Sequence, residues 1–214
     1  MFNKKISIIL ISFILTISLC SKKKEEITDP TPEKPIVVDI ENKEVRIATR
    51  LNRIWCDDSA SLHNCIVYQG GVRAPKALLQ AYCNHADFFD ALIDIGADPG
   101  IDIGDNPDSA AVATGSKFEV TFRWDGAPKS YTLNELVQDS LNRGFEIRMH
   151  NGKQRAIDTN MGCIMCYTAC NISITSNTTY NWYEKMMQVY TFRPRAELLP
   201  ADSTLVIVTF KLAQ

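Results

Sequence analysis

The first twenty residues decide where and under what redox conditions the remainder folds. Lys4 and Lys5 precede fourteen uncharged residues, Ile6 to Leu19, and Cys20 follows. A basic start and an apolar run of this length read as an export signal. At 1.5 Å per residue the run covers about 21 Å as a helix, short of a hydrocarbon core of roughly 30 Å, so it reads as a leader rather than a permanent membrane span. An exported chain folds where disulfides are permitted, which matters for a sequence with seven cysteines.

Ile17-Ser18-Leu19-Cys20 is similar to a lipobox, the motif in which bacterial lipoproteins carry the cysteine that is lipidated and becomes the new N-terminus. The similarity implies a signal peptide over residues 1–19 and lipidation of Cys20. The protein is then a lipoprotein held on the extracytoplasmic side of the bacterial cell envelope, with the membrane as its partner through that anchor. Ser21 to Pro35 holds three lysines in a row, three prolines and one large apolar residue, Ile27, and reads as a solvated tether. The folded part is expected over 36–214. Losing Lys4 and Lys5 with the leader takes the formal charge from −2 to −4, which argues against a nucleic-acid partner and against attraction of the domain itself to an anionic bilayer.

Within 36–214, apolar and polar residues alternate in several short runs. Ile36 to Ile40 and Val45 to Leu51 flank Glu41-Asn42-Lys43 as two strands around a tight turn. Cys65 to Tyr68, Phe118 to Trp124, Phe145 to Met149, Val189 to Phe192 and Leu205 to Leu212 read as further strands, the last central in its sheet. Asn84 caps an expected helix to Ile95, with Gly96 beyond its end. Thr132-Leu133-Asn134-Glu135 is a capping box, and Leu136, Val137 and Leu141 extend a second expected helix toward Gly144. Many strands, two main α-helices and no repeating βαβ unit point to a single α+β domain with a largely antiparallel β-sheet.

The most unusual stretch is Gly162-Cys163-Ile164-Met165-Cys166-Tyr167-Thr168-Ala169-Cys170. On a helical turn Cys163, Cys166 and Cys170 would share an arc of about 60°. Their spacing equals that of the last three cysteines of a bacterial ferredoxin run, with Asn160 at the place of the first cysteine and Asn171 at the place of the proline. A metal on these three needs a fourth ligand from Cys56, Cys65 or Cys83, or from His63, His85 or His150. Three readings stay open: an iron–sulfur cluster or zinc, disulfides among the six cysteines beyond Cys20, or thiols buried as small apolar residues. No cofactor is the first expectation. A thiol–disulfide oxidoreductase working through Cys163 and Cys166 is a further reading.

Other constellations are weaker. His63 beside Cys65 on a strand invites a nucleophile reading, with no third orienting group to complete it. Asp94, Asp98, Asp102, Asp105 and Asp108 form an acidic stretch without EF-hand spacing, read as a solvated loop. The local signatures of zinc proteases, serine hydrolases, P-loop and dinucleotide-binding enzymes are missing, so no catalytic residue is assigned and an enzyme is not the expectation.

Four segments together point to a family. Phe88 to Gly100 (FFDALIDIGADPG), Trp124 to Lys129 (WDGAPK), Gly162 to Cys170, and Leu199 to Val206 (LPADSTLV) resemble, in order, the YdjY-like domain family. The resemblance covers most of 36–214. It implies an exported or lipid-anchored protein and a domain often labelled ferredoxin-like or 4Fe-4S, a label attached to the cysteine run. The function expected is that of a binding module for an envelope or extracellular partner, with a structural or redox-sensitive site at Cys163, Cys166 and Cys170. The alternative is extracytoplasmic electron transfer or metal binding through the same three cysteines.

Overall fold

The computed structural model describes residues 28–56, 64–105 and 107–214. The expected leader, Cys20 and His63 lie outside the described residues. Strands β1 (Ile36–Asp39) and β2 (Glu44–Leu51) form the expected hairpin. Asp39 accepts a hydrogen bond from the Asn42 backbone (3.0 Å), and Lys43 takes the left-handed conformation that the tight turn requires (φ 54°). Next come β3 (Asn64–Tyr68), β4 (Ala77–Ala81) and helix α1 (His85–Asp94). The Asn84 side chain accepts from the Asp87 backbone N–H (2.8 Å), as its cap position predicts.

The middle of the chain holds β5 (Lys117–Trp124), β6 (Tyr131–Thr132), α2 (Leu133–Leu136), β7 (Val137–Asp139), β8 (Ile147–Met149) and α3 (Lys153–Thr159). The final third holds β9 (Cys163–Cys166), β10 (Thr175–Asn177), α4 (Trp182–Met187), β11 (Phe192–Pro194) and β12 (Leu205–Leu212).

These strands do not form the expected α+β sheet. Hydrogen-bonded order runs β2-β12-β5-β8-β10-β9-β3-β4, and β4 returns to β2 through Thr49↔Ala81, Arg50↔Gln80 and Leu51↔Leu79, closing an eight-stranded barrel. The sheet is mixed, because β9–β10 and β3–β4 are parallel pairs. Closure removes the open edges that an isolated sheet would expose. The expected second main helix is a single turn, α2. Its capping box is present, but the apolar spacing beyond Leu136 is met by β7, which pairs with β11 through Val137↔Pro194 and Gln138↔Arg193. Among the described residues the α-helices are four short pieces, and strands make up most of the remaining regular structure.

One face of the closed sheet is continuous core. Val45, Ile47 and Leu51 of β2, Phe118, Val120 and Phe122 of β5, and Val206, Val208 and Phe210 of β12 are all buried in it. Period-two alternation puts their polar neighbours on the other face. As expected, β12 is central, flanked by β2 and β5 along almost its whole length. At the end of the barrel where β2 begins and β12 finishes, Phe88 of α1 meets Phe210 edge-on with centroids 4.8 Å apart.

Charged contacts tie distant segments to this frame. The Asp29 carboxylate accepts from Arg123 (2.6 Å) and Arg46 (3.0 Å), and the Ala48 N–H donates to the Pro35 carbonyl (2.9 Å), so residues 28–35 lie against the barrel. The acidic stretch is held by a cation fifty residues away. Arg155 of α3 reaches Asp102 (2.6 Å) and Asp105 (2.5 Å).

Two predictions follow from this packing. Gly162 has φ +78°, and a methyl group placed on it would lie 2.8 Å from the Cα of Gly71, so Gly162→Ala adds left-handed strain to a backbone clash. It should lower stability by about 2 kcal/mol or more, read from the denaturant midpoint. Glu146 bonds Arg148 (2.7 Å) and Lys117 (2.9 Å), and those two bonds hold its carboxyl near 2 in the folded state. A carboxyl depressed by folding stabilises above its unfolded pKa of roughly 4.3 and loses that contribution as pH falls through its folded value. Glu146→Gln should therefore flatten the acid limb of the stability profile between these two values.

Candidate functional site

The thiol site forms where β3 meets β9. In a regular strand Cys163 and Cys166, three apart, would face opposite sides. The pairing is irregular. From Asn64↔Cys166 to Ile66↔Met165 the extra residue is on β3, and from there to Val67↔Cys163 it is on β9. These opposed bulges break the alternation on both strands. Ile66, Ile164 and Met165 go to the main core, while Val67, Cys163 and Cys166 join Cys170, Ala74 and Ala77 in a second cluster.

Cys170 arrives by a tight return. Eight residues connect β9 to the parallel strand β10, where a dozen or more are usual. The loop is held by its own backbone and by side chains entering from β10. Ala169 N–H donates to the Tyr180 carbonyl (3.0 Å), Asn177 Nδ2 to the Tyr167 carbonyl (3.0 Å) and Ser173 Oγ to the Cys170 carbonyl (3.3 Å). The three thiols thus meet as the sequence suggests, though on an extended, bulged segment rather than on a helical turn.

Asn64 Nδ2 donates to Cys163 Sγ (3.3 Å) and Cys166 Sγ (3.5 Å). Cys163 and Cys166 in turn hydrogen-bond Cys170, and these two contacts are the main reason its thiol is held well below the usual range. The Lys185 ammonium and the Ile172 backbone N–H act in the same sense. Cys163 and Cys166 are pushed the other way. One thiolate, shared as acceptor by two thiol donors, is the protonation state that this arrangement favours.

Cys166 and Cys170 border a small cavity of about 110 Å³, together with Asn64, Thr168, Arg73 and Lys185. Arg73 is placed there by the segment after β3, whose backbone follows 160–162: Val72 N–H donates to the Asn160 carbonyl (3.0 Å) and Arg73 N–H to that of Met161 (3.2 Å). Lys185 is carried by α4, whose capping box joins Asn181 and Glu184. Neither cation was singled out from the sequence. Only the fold brings residue 73 and residue 185 to one cavity.

Of the candidate fourth ligands, Cys56, Cys65 and Cys83 belong to the main core, and His63 lies outside the described residues. Cys65 and Cys83 sit in the main core, where burial pushes both thiols up to about 12, and Cys56 packs against that core. The nucleophile reading of Cys65 loses its basis there. His85 is buried on α1, and burial lowers its pKa. His150 is fully buried under Gly152, feels the charge of Cys170, and is likewise kept neutral by burial. Among the described residues no group of three or more His, Cys, Asp or Glu side chains is placed to hold a metal ion. Cys65, Cys83, Cys163, Cys166 and Cys170 are free thiols in this structure.

The fold and the site together define a small closed β-barrel domain with a buried thiol cluster beside a cationic cavity. The chain belongs to the YdjY domain family, whose model matches residues 36–211. It is 34% identical over 185 residues to "Uncharacterized protein YdjY" of Escherichia coli (strain K12), a match covering 85% of this chain and 80% of the relative. No solved structure matches it. The family expected from the four sequence segments is the family that the comparison shows.

If thiol donors hold Cys170 as a thiolate, its alkylation by neutral iodoacetamide should persist well below pH 8, where an ordinary thiol is protonated. Replacing both donors, Cys163→Ala with Cys166→Ala, should move the midpoint upward. Each unit of that movement lowers the rate at pH 6 about tenfold, measured by peptide mass spectrometry.

Proposed function

We propose that this protein is a lipid-anchored component of the bacterial cell envelope whose YdjY domain is a binding module with a redox-sensitive thiol site at Cys163, Cys166 and Cys170. The observation that carries the redox part is the contact among the three sulfurs, with two of them bordering a cavity and one favoured as thiolate. A purely structural cluster of buried cysteines would need neither a cavity nor a depressed thiol. The export-type leader and Cys20 support the location.

The chemistry is thiol–disulfide exchange. The Cys170 thiolate attacks one sulfur of a low-molecular-weight disulfide, forming a mixed disulfide and displacing one thiolate. Cys166, giving up its proton, attacks Cys170 Sγ, closes a Cys166–Cys170 bond and displaces the second thiolate. The protein loses two electrons and the disulfide gains them, ending as two thiols once the thiolates take up protons. Asn64, whose amide donates to Cys166 Sγ (3.5 Å), orients the sulfur that makes the second attack.

The test is a count of free thiols in the full chain before and after exposure to 2-hydroxyethyl disulfide, with peptide mapping. Loss of two thiols, mapped to Cys166 and Cys170 and abolished in Cys170→Ala, is the expected result. Stoichiometric iron or zinc in the isolated protein, released only when Cys166 is replaced, would overturn it in favour of a metal protein. The anchor is checked separately. Cys20→Ser should shift the protein from the membrane fraction to the soluble fraction.

A further inference from the structure

The cavity beside Cys170 carries more positive charge than the thiolate needs. Arg73 and Lys185 both border it, and among the described residues neither forms an ion pair with a carboxylate. Lys185 Nζ lies 4.4 Å from the ring centroid of Trp182, which holds the ammonium in place without neutralising it. No carboxylate borders the cavity among the described residues. Thr168, which also borders it, has no exposed surface and puts a hydroxyl donor in its wall.

We propose that this cavity binds a small free anion, and that the molecule with which the thiols react is therefore anionic. The inference rests on the reactive-thiol reading above and adds the charge and size of the reaction partner. About 110 Å³ accommodates a few heavy atoms, enough for a sulfonate, phosphate or carboxylate group and too little for a polypeptide. With Cys170 ionised, two cations and one thiolate leave one unit of positive charge for the incoming anion. When the thiolate is consumed in a neutral S–S bond, the balance rises to two units, and an anion still in the cavity is held more strongly.

The experiment compares the rates at which three methanethiosulfonates label Cys170 in the full chain at low ionic strength. They are the anionic sulfonatoethyl, the neutral methyl and the cationic trimethylammonioethyl reagents. In each case the thiolate attacks the sulfenyl sulfur, a protein S–S bond forms, and methanesulfinate leaves with the electron pair, so no other oxidant is needed. Relative to a simple thiol, the anionic reagent should outpace the cationic one by about tenfold or more. In Arg73→Gln with Lys185→Gln that ratio should fall to near one, with the neutral rate as the internal reference because loss of the Lys185 ammonium lowers the thiolate fraction for all three reagents alike. Sulfate should also protect wild-type Cys170 from the neutral reagent.

Equal relative rates in the wild type, or a ratio untouched by the two substitutions, would overturn the anion site while leaving the reactive thiol intact. No labelling by any of the three would overturn the thiol reading itself, and the anion proposal with it. Arg73 is exposed and Lys185 is at most half-buried on a short helix, so the pair can be changed without entering the core. An unaltered thermal midpoint checks this, and the single Lys185→Gln variant carries the comparison if the midpoint moves.

Discussion

The pairing of β3 with β9 is the constraint on which the thiol side of the molecule depends. Two bulges of opposite sense let Asn64, Val67, Cys163 and Cys166 face one way while Ile66, Ile164 and Met165 face the other. Without them, alternation would send one of the two cysteines into the barrel core. The close backbone approach of Gly71 to Gly162 belongs to the same device, since a side chain at either position would force β9 away from the turn that brings Arg73 to the cavity. Barrel closure through β2 and β4 then makes this junction one of eight in a closed ring, so it cannot slip in register without disturbing its neighbours.

The same sulfur chemistry has opposite character on the two faces of that wall. Cys65 and Cys83 lie among apolar side chains, where desolvation penalises a thiolate and leaves them as small core residues. Cys170 is equally buried, yet its two thiol neighbours and Lys185 outweigh the desolvation cost. Burial alone therefore does not set the direction of a thiol's pKa shift. What decides a thiol's ionisation is whether the buried charge meets donors and a counter-charge, and among the described cysteines Cys170 meets both.

Much of the barrel's framework was legible before folding. The hairpin of β1 and β2, the alternation of β5, the central position of β12 and the capped start of α1 follow from local patterning. They rest on side-chain periodicity or on a cap three residues from its partner. The second expected helix failed because Leu136, Val137 and Leu141 satisfy a helical stripe as readily as a turn followed by a strand, and β11, more than fifty residues on, claims that strand's hydrogen bonds. The parallel pairs were illegible for a related reason. An eight-residue return carries no helix to announce a crossover. Arg155, holding Asp102 and Asp105, shows the same limit for charge, since a solvated acidic loop and one pinned by a distant guanidinium look identical in sequence.

For the site, the amino-acid sequence by itself determined the family, the three cysteines that matter and their closeness, because thiols spaced three and four apart cannot separate far in any compact conformation. The export-type pattern before Cys20 is likewise a local signal, legible without a fold. The tertiary structure alone decided which thiols share a face, which of them has its ionisation favoured, and that Asn64, Arg73 and Lys185 surround them. Those outcomes depend on strand register, on bulges and on contacts across more than a hundred residues, and such contacts are set by how the whole core packs rather than by any local run of residues.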